Sequence, residues 1–410
     1  MGQQTNGTMY PEDDRRGNML KIGFVTPWYG ETIGGGAEAE LRGLVHHLMD
    51  AGMELEVLTT CVKSFSSDWS VNDHAPGFTR EAGIPVRRFP VRRRDTKAFD
   101  AVNFKLMNSQ KITEEEEEIY CREMINSPEL YDYIRKEGVQ YRAFVFIPYM
   151  FGTTYNGCQI HPEKSILIPC LHDESYAYLK CFRKAFSQTA GMILHSEPER
   201  TLAQGCYGAE GCSFVTLGEG VDTDWHSDPQ RFRNKYGIKD PFILYAGRKD
   251  AGKRVDTLIR WFMHYQQISP DSMKLILIGG GKIDIPDQSK ILDLGYVDVQ
   301  DKYDAYGAAT LFCNPSEMES FSLVLMESWL AETPALVNGK CAVTRDFVHQ
   351  ANAGLYYENY GEFEQCIRYL STHEDTASAM GRNGRKYVLT HFDWKVITEK
   401  YLRYFQQLGV

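Results

Sequence analysis

No apolar run in this chain approaches the ~18 residues that a membrane-spanning helix needs. The polar start, Met1 to Asn18 with Asp13-Asp14-Arg15-Arg16, holds no apolar core of a signal peptide. The ten cysteines form no Cys-x-x-Cys and no His/Cys cluster at zinc spacing, and the pair Cys206 and Cys212 stands unsupported. These absences predict reduced thiols in a soluble, cytoplasmic protein. Basic charge is also short. Its 45 lysines and arginines face 55 acidic residues, and the net −10 argues against nucleic acid as the main partner. No G-x-S-x-G elbow is present and no cysteine has a histidine context, so no nucleophile triad is expected.

What is present is ordinary globular composition, 43% apolar and 24% charged, over 410 residues, more than one hydrophobic core usually serves. Lys21–Thr26 reads as a buried strand, followed by a loop with Gly34-Gly35-Gly36 and a helix from Ala37 to about Ala51. Glu54–Thr60, Ala143–Ile147, Ser165–Pro169 and Gly191–Leu194 are further strands. The pattern restarts with strands at Phe242–Ala246, Met273–Ile278, Leu311–Cys313 and Pro334–Val337, and helices near Val255–Tyr265, Asp301–Ala308, Ser322–Ala331 and Phe363–Ser371. Strands alternating with helices predict parallel sheets covered on both faces. The expectation is an α/β chain of two doubly wound domains facing across a cleft. Residues 1–215 form the first, N-terminal domain, 216–390 the second, and 391–410 a helix that packs back on the first. Val215–Asp222 between them reads as a hinge.

Two glutamates eight positions apart, Glu319 and Glu327, carry the strongest chemical signal. The first is placed on a loop at the mouth of a helix and the second inside that helix. Carboxylates accept hydrogen bonds and donate none, which suits a ligand rich in hydroxyls. The N–H groups of Phe321, Ser322 and Leu323 would meanwhile face an anion, so the geometry asks for a polyol joined to a phosphate. Gly247-Arg-Lys-Asp-Ala-Gly252-Lys253 resembles a phosphate loop, but Arg254 stands where a hydroxyl on magnesium is needed and the next strand lacks the metal-holding aspartate. Arg248 and Lys253 can hold a diphosphate without metal. Ordinary surface cations are the alternative for both.

Other patterns are weaker. Gly34–Ala39 fits G-x-G-x-x-A but starts late after its strand, and no acidic residue closes the second strand at Thr60. A glycine loop before a helix still allows close approach to a phosphate or sugar. His172 lies just past a strand, where active-site loops belong, although a lone histidine is more often structural. Asp222-Thr-Asp224 reads as a turn in the hinge rather than a metal site. Arg87, Arg88, Arg92, Arg93 and Arg94 read as solvated surface, with contact to an anionic acceptor or to the inner face of a membrane as the functional alternative. The acidic run Glu114 to Glu118 reads as an exposed helix start.

Taken together the pieces resemble the retaining glycosyltransferases of family 4, with the GT-B fold of two Rossmann-like domains. Four motifs recur in that family's order: Gly35-Gly36-Ala37-Glu38, His172-Asp173, Gly247-Arg248…Lys253, and the element from Pro315 to Glu327. The resemblance implies that Arg248 and Lys253 neutralise a donor diphosphate, Glu327 binds the ribose, and Glu319 holds the transferred sugar with Phe321, Ser322 and Leu323. It further implies that Gly35 and Gly36 close over the phosphates or sugar, His172 lies beside the reacting sugar, and Tyr296 and Val297 face the nucleobase. Neither metal nor cofactor is implied. The partners would be a nucleoside-diphosphate sugar and a saccharide or lipid-linked acceptor, in glycan or surface polysaccharide synthesis. Rival readings are an epimerase or glycogen-type synthase of the same fold, and a silent nucleotide-binding or scaffold protein. Two departures stand out: Ser322 replaces the usual glycine after Phe321, and Ala331-Glu332-Thr333-Pro334 replaces the usual alanine-x-glycine-x-proline, so Glu332 stands near a site normally kept small.

Overall fold

The computed structural model describes residues 20–208, 211–269 and 272–410. The polar start read at Met1 to Asn18 lies outside the described residues. Two sheets carry the fold. The first holds β1 (Lys21–Val25), β2 (Leu55–Thr60), β3 (Gly77–Glu81), β4 (Ile84–Phe89), β5 (Tyr141–Phe146), β6 (Ser165–Leu167), β7 (Gly191–Leu194) and β8 (Ser213–Thr216). The second holds β9 (Phe242–Ala246), β10 (Lys274–Ile278), β11 (Ile291–Gly295), β12 (Leu311–Asn314), β13 (Ala335–Asn338) and β14 (Gly354–Tyr357). Their strand orders are β3-β4-β2-β1-β5-β6-β7-β8 and β11-β10-β9-β12-β13-β14. Every pairing is parallel except the β3–β4 hairpin. Central strands such as β5 and β9 are buried almost throughout, as sheets covered on both faces require. This is the two-domain GT-B architecture expected from the sequence.

Each sheet reverses its order once. In the first, chain growth runs outward from β1 through β2 and then restarts at β5 on the other side of β1. In the second, β9 and β12 are neighbours that lead away from each other in the same manner. The loops leaving β1 and β5, and those leaving β9 and β12, therefore diverge and open a crevice at the carboxyl edge of each sheet.

The two halves are joined at paired chain crossings. The stretch after β8 runs beside Phe392-Asp393, with the Val221 N–H donating to the Phe392 carbonyl at 2.8 Å and Thr223 Oγ1 to Asp393 at 2.6 Å. The last helix, Trp394–Gln407, then packs on the first half, where Trp394 stacks on His47 with ring centroids 4.5 Å apart. All ten cysteines are free. Among the described residues no helix is long and apolar enough to cross a membrane.

The arginine stretch is a correction. Arg87 and Arg88 belong to β4, a strand that the sequence pattern did not reveal, and both turn inward. Arg87 Nε donates to Glu56 at 2.7 Å, while Arg88 bonds Glu81 and donates to the Tyr29 carbonyl at 2.8 Å. Arg92 and Arg94 reach Glu123, at 3.3 Å to its carboxylate and 3.1 Å to its carbonyl. Arg93 alone of the five is exposed. A cationic membrane-facing surface does not form there.

Candidate active site

The loop leaving β9 is pinned to the neighbouring strand ends. The buried Lys249 ammonium donates to Asp293 at 2.7 Å and also bonds the Gly279 carbonyl, while the Lys249 N–H reaches the Gly280 carbonyl at 2.7 Å. Gly279, at φ 119°, packs so closely that a Cβ would lie 2.1 Å from the Gly247 carbonyl oxygen. Tyr245 donates to the Arg248 carbonyl at 2.5 Å. A turn held this way fixes the backbone and leaves the Arg248 side chain 68% exposed, its Nε 3.5 Å from Asp250.

The loop leaving β12 meets it across the second crevice. Lys253 Nζ lies 2.7 Å from Glu319 Oε1, so the expected diphosphate ligand and the expected sugar ligand form one half-buried ion pair. Beside them Arg254 pairs with Glu317 at 2.8 Å. Ser322 caps the helix Leu323–Leu330 at φ 102°, a left-handed conformation that side chains rarely adopt, and its hydroxyl accepts from Asn314 at 3.1 Å. Glu332 is likewise left-handed, at φ 60°. Both departures from the resemblance thus occupy backbone that favours glycine. Glu327 lies one helical segment further on, gripped by Lys302 at 2.6 Å and by the Tyr306 hydroxyl at 2.9 Å. Lys302 and Tyr306 were missed because they sit on another helix, Val299–Ala308, and no local spacing ties them to Glu327.

Tyr296 is 85% exposed, while Val297 packs against the core. A Cβ on Gly280 would come within 2.4 Å of the Tyr296 hydroxyl, so that tyrosine lies over the glycine turn after β10. In the first half, Gly35 (φ 145°) precedes the helix Gly36–Asp50, and Glu38 folds back over it. Its carboxylate accepts from the Trp28 indole at 2.6 Å. His172 is half-buried, with Nδ1 3.7 Å from Glu174. Among the described residues no hydrogen bond or ion pair joins His172, Gly35 or Gly36 to Arg248, Lys253, Glu319 or Glu327. The two sets of expected ligands belong to different domains.

A buried charge network lies between these domains. His195 Nε2 is 2.7 Å from Glu40, and its Nδ1 is 3.1 Å from Glu199 but out of line for a hydrogen bond, so that second contact is coulombic. Burial opposes the imidazolium, yet Glu40 and Glu199 outweigh it and hold His195 well above the usual histidine range. Glu219, on the crossing after β8, is buried with Oε1 unpartnered, and burial followed by the Glu40 charge pushes it well up. The His195 ring stands 6.3 Å from Phe321, which places the network directly behind the Glu319 loop. Ligand atoms of Glu40, Cys170 and His195 lie within 4.8 Å of one another, a metal-like spacing. Burial and then Glu40 push the Cys170 thiol well up, however, and it donates to Glu40 at 3.5 Å, while His195 Nε2 pairs with the same carboxylate at 2.7 Å.

Residues 228–387, the second domain with its crevice, match the family model described as glycosyl transferases group 1. Mannosylfructose-phosphate synthase of Agrobacterium fabrum is 24% identical over 191 residues, covering 42% of this chain and 42% of that protein. The chain thus spans less than half the length of that curated relative. Among solved structures, sucrose-phosphate synthase from Thermosynechococcus elongatus is similar over 95% of this chain and 99% of its own, at 15% identity and TM-score 0.69. Anabaena Alr3699/HepE in complex with UDP and glucose is similar over 95% and 100%, at 16% identity and TM-score 0.65. At such identities the likeness is one of fold.

Proposed function

We propose that this chain transfers a sugar from a nucleoside-diphosphate sugar to an acceptor hydroxyl, with retention at the anomeric carbon, as a member of glycosyltransferase family 4. The observation that carries the reading is the Lys253–Glu319 pair at the second switch point, with the exposed Arg248 on the same loop. The group 1 match across that domain and the UDP and glucose bound by the HepE neighbour support the donor class.

Arg248 and Lys253 neutralise the diphosphate and stabilise the charge that grows on it as the glycosidic C–O bond breaks. The N–H groups at Phe321, Ser322 and Leu323, around the start of a helix, add partial positive charge to the same place. Glu319 accepts from hydroxyls of the transferred sugar. Glu327, oriented by Lys302 and Tyr306, accepts from the ribose, and Tyr296 and Val297 flank the base. Gly35 and Gly36 approach from the first domain, with His172 beside the sugar. The acceptor oxygen attacks on the face the leaving group vacates, and its proton passes to the departing phosphate oxygen. Positioning and charge stabilisation supply the acceleration, and the two cations make a metal unnecessary. The acceptor is a saccharide, free or lipid-linked, and the reaction belongs to glycan synthesis in the cytoplasm.

Proton NMR of the intact protein with a panel of sugar nucleotides tests this reading. Consumption of one donor with a product of unchanged anomeric configuration supports it. An inverted product, or no donor turned over even by hydrolysis, overturns it.

A further inference from the structure

The switch point of the first sheet carries a structure that the donor chemistry does not use. Trp28, on the loop after β1, meets Phe151, on the loop after β5, with ring centroids 4.9 Å apart in an edge arrangement. Phe65 and Trp69, from the loop after β2, complete the group at 5.9 and 6.0 Å from Trp28 and 5.8 Å from each other. Trp28 and Phe151 are buried and belong to a small core separate from the main ones, whereas Phe65 is 55% exposed. The rings therefore form a solid floor that presents one open aromatic face at the crevice. Through Trp28, the floor is also bonded to Glu38 on the glycine loop.

Polar residues flank Phe65 on its own loop. Ser64 is 3.2 Å from Ser66 and 3.3 Å from Ser67, hydroxyl to hydroxyl, and Asp68 is exposed on the same loop. An aromatic face bordered by hydroxyls and a carboxylate matches a pyranose ring, which has an apolar C–H face and a hydroxyl rim. The charge favours a neutral ring over a phosphorylated one. Lys63 is outnumbered on this loop by Asp68 and Asp73, and it lends its N–H to Asp73. Arg94, which touches the floor, is spent stacking on Trp69 and Phe99 at 4.8 and 4.7 Å. A lipid tail would need an apolar channel without the serines and aspartate.

We propose that this floor is the acceptor platform, and that the acceptor it takes is a neutral pyranoside stacked on Phe65, which Trp69 supports from below. The assignment rests on the glycosyl-transfer reading above and narrows its acceptor to one class. It also gives each sheet one substrate at its own switch point.

Saturation-transfer difference NMR on the intact protein with UDP present provides the test. The probes are methyl pyranosides and neutral disaccharides, glucose 6-phosphate, and an alkyl glycoside. Ring C–H signals are expected from at least one neutral saccharide. They should weaken at least tenfold in Phe65→Ala and Trp69→Ala and recover in Trp69→Phe, with UDP-induced thermal stabilisation equal in all variants. Phe65 is exposed, so its truncation leaves the fold intact. Signals from glucose 6-phosphate or the alkyl glycoside alone, no saccharide signal, or signals indifferent to Phe65→Ala would each overturn the platform. Failure of UDP, GDP and ADP alike to stabilise the parent would instead sink the donor reading, and the saccharide signals would still decide the platform.

Discussion

Lys253 and Glu319 share a charge across 2.7 Å, and that contact separates their contributions to binding. Lys253→Ala removes a charge-assisted bond to the diphosphate, worth about 1.5–3 kcal/mol, so calorimetry should find nucleoside-diphosphate affinity reduced roughly 10- to 150-fold. Glu319→Gln should behave differently. It releases Lys253, so affinity for the bare nucleoside diphosphate should hold or rise while affinity for the sugar nucleotide falls. Equal losses for both ligands would contradict that division. Glu332 offers a stability test. Its left-handed backbone and exposed side chain mean that Glu332→Gly relieves strain of about 1–2 kcal/mol against a smaller entropy cost in the unfolded chain. A rise of roughly 0.5–1 kcal/mol in urea unfolding is expected. At this scale the pair of carboxylates was legible, because Glu319 and Glu327 stand at a fixed spacing on one loop and helix. Their partners were not. Lys253 lies 66 residues from Glu319, and only folding brings the two loops together.

The loops and helices around the hinge respond to protons and to space. His195 and Glu219 both bind protons more tightly folded than unfolded, in the company of Glu40, Cys170, Glu199, Glu319 and Tyr401. Their contribution to stability is fully present below the unfolded values, near 4.5 for Glu219 and near 6.5 for His195. It is lost as pH rises above each. Urea midpoints should therefore fall between pH 6 and pH 9, and Glu219→Gln should flatten part of that fall. A midpoint that climbs over this range would refute the network. Trp394 tests the packing of the last helix. A Cβ on Gly220 would meet its ring at 2.1 Å, so Gly220→Ala should cost about 1–3 kcal/mol through overpacking, read as a lower melting temperature. Strands with long apolar runs were visible in the sequence. β4 was hidden because its arginines mimic surface, and they are inside only because Glu56 and Glu81 lie opposite. β11 and β14 were hidden because their exposed residues break the apolar pattern.

The whole molecule places two dissimilar crevices opposite each other. One is charged, with cations and carboxylates that suit the proposed nucleotide sugar, and the other is aromatic. The alternation of strand and helix made the two-domain architecture readable, whereas the aromatic floor was not, since its four rings come from three separate loops. The most direct test of the account is titration calorimetry of the intact protein with UDP, GDP and ADP, repeated for Arg248→Ala. The account predicts that at least one nucleotide binds and that the variant weakens it at least tenfold. A protein that binds none of them, or that binds as tightly without Arg248, would contradict it.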